Sequence, residues 1–201
     1  MSRERREESL EDAELVVRVG EGDVAAYREL VRRHGKRLHH YASRMLNEST
    51  EAEDVVQEAF LRLWQRATSY SPDARVTTWL HRIVHNLAVD RLRSRGRWQA
   101  LDDDSDAPVS APQGRQLEAA RQAEALERAL NLLPERQRAA LLLVHLNELS
   151  GKEAARVLGV TDTALESLLS RARRGLRQLL ERNTRSEAAG HEPSAAGKNG
   201  S

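Results

Sequence analysis

The stretch "EAEDVVQEAFLRLWQR", residues 51–66, decides the fold because both of its faces can be assigned from spacing alone. At helical period one face is an apolar row of ordinary core type, made of Ala52, Val55, Val56, Ala59, Phe60 and Leu63. The opposite face carries an outer row, made of Asp54, Gln57, Glu58 and Leu61 with Trp64 beside it. This outer row is either a binding surface or one more case of ordinary exposed apolar residues.

The composition extends the helical interpretation to the whole chain. Of 201 residues, 39% are hydrophobic, 31% are charged and only 3% are aromatic, so any core is aliphatic and modest. Ala, Leu, Arg and Glu dominate, and the alternation typical of strands is hard to find. The length suits one large domain or two small ones. The sequence predicts an all-α protein of two small helical domains joined by a flexible linker.

Breaks in the helical pattern give the expected boundaries. Residues 1–9 are predicted to be a disordered charged tail and residues 10–95 a first helical domain. Residues 96–116 lose periodicity and collect Gly, Pro, Ser and Asp, which predicts an acidic flexible linker. Residues 117–182 are predicted to form a second helical domain, and residues 183–201 a small, polar, disordered tail.

Several classes of function are excluded or disfavoured by what the sequence contains. The chain has no cysteine, which removes disulfides, thiolate metal sites and cysteine nucleophiles and fits a reducing cytoplasm. We find no long apolar run, signal peptide, phosphate-binding glycine loop or nucleophile constellation. We therefore expect a soluble protein that has no catalysis, metal or cofactor of its own.

Histidines are the remaining candidates for a metal site. His34, His39 and His40 cluster, while His81 and His85 are four residues apart, but no HExxH motif or carboxylate partner accompanies them. We interpret all five as surface or DNA-facing residues.

Charge is distributed unevenly although the net charge is only +1. Six arginines between residues 75 and 97 accompany a single acid, Asp90, and four arginines between residues 171 and 177 accompany none. Two basic patches separated by an acidic segment indicate two surfaces for a polyanion, with two solvated helix faces as the alternative.

The stretch "LSGKEAARVLGVTDTALESLLSRARRGLRQLL", residues 149–180, predicts a helix-turn-helix. A short helix from Ser150 to Leu158 is followed by a turn at Gly159, and Thr161 or Asp162 can cap a second helix. In this motif the second helix enters the major groove of DNA.

The second helix divides into an apolar and a polar side. Its candidate base-contacting residues are Thr163, Ser167, Ser170, Arg171 and Arg174. Small hydroxyls permit close approach to base edges and arginine bonds guanine bidentately, while Arg156, Arg173 and Arg177 are placed for phosphate contacts. An amphipathic hairpin with a solvated arginine face is the alternative.

The stretch "TTWLHRIVHNLAVDRLRSR", residues 77–95, has Leu80, Ile83, Val84 and Leu87 as its buried row. Along one flank runs a strip made of Trp79, Arg82, Asn86, Val89 and Arg93. An aromatic ring, an amide and arginines in line suit unpaired nucleic acid, since rings stack on bases and cations hold phosphates. The alternative is that Trp79 covers the core and Asn86 is merely solvated.

Taken together and in this order, the three stretches resemble the bacterial alternative sigma factors of the extracytoplasmic-function type. The resemblance covers roughly residues 10–180. It implies that the outer row Asp54, Gln57, Glu58, Leu61 and Trp64 docks on the clamp helices of the largest subunit of core RNA polymerase. Promoter DNA is the second implied partner, and many family members have an inhibitory anti-sigma protein, often membrane-anchored.

The resemblance also implies roles for the two basic patches. Arg75, Trp79, Arg82, Asn86 and Arg93 would bind the minus-ten element, with Asn86 helping to hold a flipped base. Arg156, Thr163, Ser167, Ser170, Arg171 and Arg174 would bind the minus-thirty-five element as duplex. Glu166 and Leu168 stand where the family often has basic residues, which leaves the base preference there open. The acids Asp102, Asp103, Asp104 and Asp106 are hypothesised to mimic nucleic acid near the RNA exit path.

Two other functions are alternatives to a promoter-recognising sigma factor. One is a helix-turn-helix regulator with a helical partner-binding domain, which would bind duplex DNA alone, usually as a dimer on a palindrome. The other is a helical adaptor that binds a protein through residues 51–66. Neither of them requires the strip from Trp79 to Arg93.

Overall fold

The computed structural model describes residues 3–71, 75–99 and 116–189, with side chains from residues 10–71, 75–95 and 122–182. Within these ranges the chain is helical and contains no strand, which confirms the predicted all-α fold. The helices are α1 (Arg3–Gly20), α2 (Val24–Leu46), α3 (Ser49–Arg66), α4 (Val76–Gln99), α5 (Gln116–Asn131), α6 (Glu135–Leu141), α7 (Gly151–Leu158) and α8 (Asp162–Ala189).

The first helical group, α1–α4, is built around α2, which packs against α1, α3 and α4. The inner row of α3 lies in this core, where Val55, Ala59 and Leu63 are fully buried. The largest fully buried side chain is that of Tyr41 in α2. A mostly aliphatic core that contains Tyr41 and Phe60 agrees with the low aromatic content.

Local capping fixes the entry and exit of α2. The Asp23 side chain accepts hydrogen bonds from the Ala25 and Ala26 amides at 2.8 and 3.1 Å, which satisfies two donors that the first turn leaves free. These bonds, together with hydrogen bonds from Arg18 Nε and Nη2 to Asp23 Oδ2, hold the pKa of Asp23 below its usual value. At the other end Asn47 adopts a left-handed conformation and ends the helix.

The second helical group, α5–α8, contains the predicted helix-turn-helix. After α6 a single π-helical segment, Leu142–Leu146, leads to Asn147 and then to α7. Gly159, with φ +62°, ends α7 in the left-handed region that a side chain disfavours. In α8, a Cβ on Gly175 would lie 3.0 Å from Leu133, so this glycine permits α8 to approach the end of α5.

The two groups pack directly on each other, because α4 contacts α7 and α2 contacts α5 and α6. The buried apolar cluster runs through both of them.

Three helices extend past the domain limits expected from the sequence. α1 already begins at Arg3, α4 continues to Gln99 and α8 continues to Ala189. The central acidic part of the linker, with Asp102 to Asp106, and the final residues 190–201 lie outside the described residues.

Candidate functional site

The outer row of α3 lies on the surface. Leu61 is 48% and Trp64 36% exposed, and both Asp54 and Gln57 are exposed. Glu58 is half-buried and accepts a hydrogen bond from Arg62 Nε at 2.9 Å. The row therefore presents one apolar anchor next to polar groups, on a helix whose opposite face is already packed.

Trp64 is positioned by a core residue of α2 whose pairing with it the sequence did not predict. The ring of Tyr27, from α2, meets Trp64 edge-on with a centroid distance of 5.3 Å and an interplanar angle of 88°. Tyr27 also packs edge-on against Phe60 in the core. This contact holds the indole in place while leaving part of it exposed. Because Tyr27 and Trp64 lie far apart in sequence, no spacing pattern could indicate that they pair.

The strip on α4 is narrower than the sequence predicted. Arg82, Asn86 and Arg93 are exposed, whereas Val89 is buried. Trp79 is half-buried and its ring lies 5.3 Å from that of Tyr70. The polar members therefore form the accessible part, with the Trp79–Tyr70 pair at its N-terminal end.

Arg75, at the start of α4, contacts the second helical group. Its Nη1 lies 3.1 Å from Glu153 Oε1, and both side chains are mostly buried. Burial opposes the ionisation of Glu153, yet hydrogen bonds from Ser150 and Arg75 outweigh it and hold its pKa below the usual value. A residue predicted to contact DNA is thus engaged with a carboxylate.

The helix-turn-helix presents its predicted polar face to solvent. The exposed residues are Arg156, Thr163, Ser167, Ser170, Arg171 and Arg174. The same helix buries Leu165, Leu169 and Ala172 on its other side.

Two caps fix the geometry of this motif. Ser150 and Glu153 form a reciprocal capping box at the start of α7. Thr161 Oγ1 accepts a hydrogen bond from the Ala164 amide at 3.2 Å, so Thr161 rather than Asp162 caps α8.

The α4 strip faces a cavity of about 360 Å³ between the two helical groups. On one side lie Arg82, Asn86 and Arg93, and on the other lie Arg136 and Gly159. The surface predicted for the minus-ten element is therefore adjacent to the turn of the helix-turn-helix.

The interpretation of the histidines was wrong for three of the five. His34, His81 and His85 are buried. His85 Nδ1 lies 2.9 Å from the Tyr41 hydroxyl, and His81 Nε2 lies 3.3 Å from Asn147 Oδ1. Packing of α4 against α2 and the second group encloses the two α4 histidines, which spacing within one helix could not reveal.

The described part of the chain holds no group of three or more His, Cys, Asp or Glu residues arranged to hold a metal ion. None of its helices has the length and apolarity needed to cross a bilayer.

Comparison with family models gives two matches along the chain. Residues 30–97 match the model described as Sigma-70 region 2, and residues 123–176 match Sigma-70, region 4.

Individual relatives agree with these matches. Over 169 residues the chain is 39% identical to the ECF RNA polymerase sigma factor SigM of Mycobacterium tuberculosis, covering 84% of each protein. It is 27% identical to the ECF RNA polymerase sigma factor SigW of Bacillus subtilis, covering 82% of this chain and 94% of that one.

Two solved structures are similar in fold. CnrH, in complex with the cytosolic domain of CnrY, matches with a TM-score of 0.65 and 31% identity, over 85% of this chain and 97% of CnrH. RpoE from Bartonella quintana, in complex with the anti-sigma factor NepR, matches with a TM-score of 0.66 and 25% identity, over 79% of this chain and 98% of RpoE.

Proposed function

This chain belongs to the extracytoplasmic-function sigma factors. We propose that its two helical groups, residues 10–95 and 117–182, bind different partners during transcription initiation. As a family member it binds core RNA polymerase and directs promoter recognition and transcription initiation. The proposal concerns which surfaces carry these steps. Residues 10–95 would bind polymerase and the minus-ten element, and residues 117–182 the minus-thirty-five element.

The outer row of α3 is proposed as the polymerase-binding face, directed at the clamp helices of the largest subunit. The observation that carries this assignment is the exposure of Leu61 and Trp64 on a helix whose inner row is buried except for the half-buried Val56. An exposed apolar anchor with polar neighbours has the composition of a binding hot spot.

The α4 strip is proposed to bind the non-template strand of the minus-ten element. Asn86 offers an amide that can bond the edge of a flipped base, and Arg82 and Arg93 are exposed cations for the flanking phosphates. The half-buried ring of Trp79 is proposed as a stacking platform at the N-terminal end, supported from behind by Tyr70.

The exposed face of α8 is proposed to bind the minus-thirty-five element as duplex. Arg171 and Arg174 can reach guanine edges, while Ser167 and Ser170 keep the backbone close to the groove. Arg156, on α7, is placed for phosphate contacts.

Three further assignments complete the proposal. Because CnrH and RpoE are seen with CnrY and NepR, we propose an anti-sigma protein as a partner of this chain. We propose that the chain is not an enzyme and that polymerase performs all the chemistry. The chain would act in the cytoplasm.

Reconstitution with core polymerase tests these assignments separately. Leu61→Ala is expected to weaken assembly with core polymerase and leave DNA contacts intact, whereas Asn86→Ala is expected to leave assembly intact and impair promoter opening. Loss of both properties in both variants would contradict the division of labour.

A further inference from the structure

A row of cations lies along the outer face of α2, outside every surface assigned so far to DNA or to polymerase. Between residues 28 and 37 five Arg or Lys residues accompany a single acid, Glu29. Arg28, Arg32 and Lys36 follow one another at intervals of four residues, and all three are exposed. They lie opposite the buried face of the helix. A merely solvated helix face usually intersperses both signs of charge, and this face does not.

Three cations of this face have no acidic partner. Arg28, Lys36 and Arg37 are exposed and form no ion pair with any other residue that the structure describes. Arg32, by contrast, is held by Glu29, whose Oε1 lies 2.6 Å from Arg32 Nη2. We call Arg28, Arg32, Lys36 and Arg37 the α2 stripe. Three of its four charges are available to an external anion.

The surroundings of His40, one turn further along α2, show the same surplus of positive charge. Partial burial is the first cause that lowers the pKa of His40 below its ordinary value. Neighbouring cations lower this pKa further, namely Arg44, His39 and Lys36, while Glu127 opposes them. A proton therefore binds less readily here than in water, as expected beside a row of cations.

The α2 stripe meets the start of α4 at a cavity of about 440 Å³. Arg32 and Arg37 line this cavity from α2, and Arg75 and Thr77 line it from α4. Acids line it as well, but within the described residues none of them forms an ion pair with Arg37. In the proposed function α4 binds the minus-ten strand, and this step rests on that function. DNA that extends beyond the N-terminal end of α4 therefore meets the stripe next.

The charge of the α2 stripe is opposite to that of the neighbouring helix α3. Residues 51–58 contain four acids and no Arg or Lys. A partner whose charge complements those acids would be repelled by the stripe, so the two faces need different partners. The stripe itself also contains no apolar anchor comparable to Leu61 and Trp64, and such anchors dominate the binding energy of protein interfaces.

The spacing of the stripe fits the phosphates of DNA. At about 1.5 Å per residue, Arg28 and Lys36 lie about 12 Å apart along the helix axis, with Arg32 midway between them. Duplex DNA carries one negative charge about every 1.7 Å of its axis, so several phosphates lie within this length. Each cation of the row can therefore find a phosphate of its own.

The composition of α2 indicates contacts to phosphates and not to bases. The helix contains no Trp, Phe, Asn or Gln, side chains that stack on bases or bond their edges. Of its two tyrosines, Tyr41 lies in the core and Tyr27 packs against Trp64. Arg and Lys contacts to phosphates position DNA without carrying sequence information.

We propose that the α2 stripe is a further DNA-binding surface, which holds the sugar–phosphate backbone of promoter DNA beside the minus-ten element without reading its sequence. It extends the DNA-binding surface of α4 beyond the N-terminal end of that helix. Its contribution to promoter affinity comes from charge alone and is therefore steeply dependent on salt.

The salt dependence of promoter binding tests the stripe in the complete complex of this chain with core polymerase. The triple variant Arg28→Gln, Lys36→Gln and Arg37→Gln removes three cations and keeps good helix formers at exposed positions. The slope of log K against log salt concentration should become shallower by about 2–3. From about 50 to about 200 mM salt, the unmodified complex should lose about 20- to 40-fold more affinity than the variant. The difference should be the same for promoters that differ in the sequence beside the minus-ten element.

Two single variants accompany the triple variant. Lys36→Gln alone should make the slope shallower by about 0.7–0.9, so the test does not depend on the folding of the triple variant. Arg66→Gln removes an exposed cation of α3 outside the stripe and should leave the slope unchanged. Helicity measured by circular dichroism reports whether each variant is folded.

Failure of the stripe and failure of the proposed function give different results. If the unmodified chain initiates transcription with core polymerase and the folded stripe variants keep its slope, the stripe alone is overturned. Weaker assembly of these variants with core polymerase in the absence of DNA would also overturn it, because the stripe would then bind protein. If the unmodified chain does not initiate at all, both the proposed function and the stripe are wrong.

Discussion

Leu61 is the residue whose truncation should weaken polymerase binding much more than it changes the stability of the fold. Because its side chain is 48% exposed, Leu61→Ala is expected to change the free energy of unfolding by less than about 0.5 kcal/mol. Its truncation should nevertheless weaken binding to core polymerase by about 1–3 kcal/mol, the range of an apolar hot spot. Urea unfolding and a titration of labelled chain with core polymerase measure the two effects.

Leucines elsewhere provide matched controls for this variant. Leu132→Ala removes an even more exposed leucine, at 66%, from a different surface and should change neither property. Leu63→Ala removes a fully buried side chain from the same helix and should cost about 2–5 kcal/mol of stability. If Leu132→Ala weakened polymerase binding as much as Leu61→Ala, the outer row would not be the interface.

Asn86 is the residue assigned to a flipped base. Asn86→Ala is expected to reduce promoter opening about tenfold, because a side-chain contact to a base edge contributes about 1–3 kcal/mol. Duplex binding through α8 should hardly change. Permanganate reactivity of thymines in the melted region and a duplex-binding assay report the two steps.

Gln122→Ala removes an exposed amide from α5 and serves as the control for this substitution. It should leave both opening and duplex binding as they are. Equal losses in the two assays for Asn86→Ala would argue against a pocket that holds an unpaired base.

The residues that the sequence did not predict correctly are those whose environment comes from other helices. His81 and His85 were interpreted as surface or DNA-facing residues, but α2 and the second group enclose them. Trp79 is partly covered by Tyr70 from the loop after α3, and Val89 is buried as well. Helical period reveals the faces of a helix and not what packs against each face.

At the scale of elements, the start of α7 depends on its capping box. Ser150→Ala removes the side chain that bonds Glu153 at both its amide and its carboxylate. A lost cap costs about 1 kcal/mol, which should lower the melting temperature by about 2–4 °C for a chain of this size. Thermal unfolding followed by circular dichroism measures the change, and the exposed Lys152→Ala on the same helix should show almost none.

Turn and cap residues predicted the ends of helices correctly where the local sequence alone determines them. Gly159 ends α7 and a threonine caps α8, as the pattern around residues 150–162 indicates. The π-helical segment Leu142–Leu146 was not predicted, since its conformation depends on contacts beyond that stretch. Asn147 shows such a dependence, because it bonds both Leu142 and the distant His81.

At the scale of the whole molecule, the contact between the helical groups makes stability sensitive to acid. Burial first, and then the nearby charges of Arg136 on α6 and Arg93 on α4, lower the pKa of His85 to about 4. Tyr41 from α2 faces its Nδ1. Burial also lowers the pKa of His81. The folded chain therefore binds fewer protons than the unfolded chain at these two positions.

The sign of the pH dependence follows from these lowered pKa values. The stability contributed by a neutral buried His85 is fully present above about pH 6.5 and is lost as the pH falls toward 4. Between pH 7 and pH 5 the loss should be about 1–2 kcal/mol. Urea unfolding at both pH values measures it, and His85→Gln should flatten the dependence while the exposed His145→Gln should not. An equally steep dependence in His85→Gln would contradict this origin.

The packing of the two groups could not be predicted from the chain itself. Composition and breaks in periodicity predict two helical groups with the correct motifs in each, and the all-α fold is confirmed. The Arg75–Glu153 and Asn131–Asn47 contacts join residues that lie far apart in sequence. Each of these residues also fits a local role, in a basic patch, a cap or a helix end, so the sequence gives no reason to pair them across the two groups.

The most direct measurement of the central claim is transcription reconstituted from purified components. With core polymerase, the chain should initiate from a promoter that carries both a minus-ten and a minus-thirty-five element, and alone it should bind the same duplex weakly. Tight binding of the free chain to a palindromic duplex, together with no transcription when polymerase is added, would contradict the account.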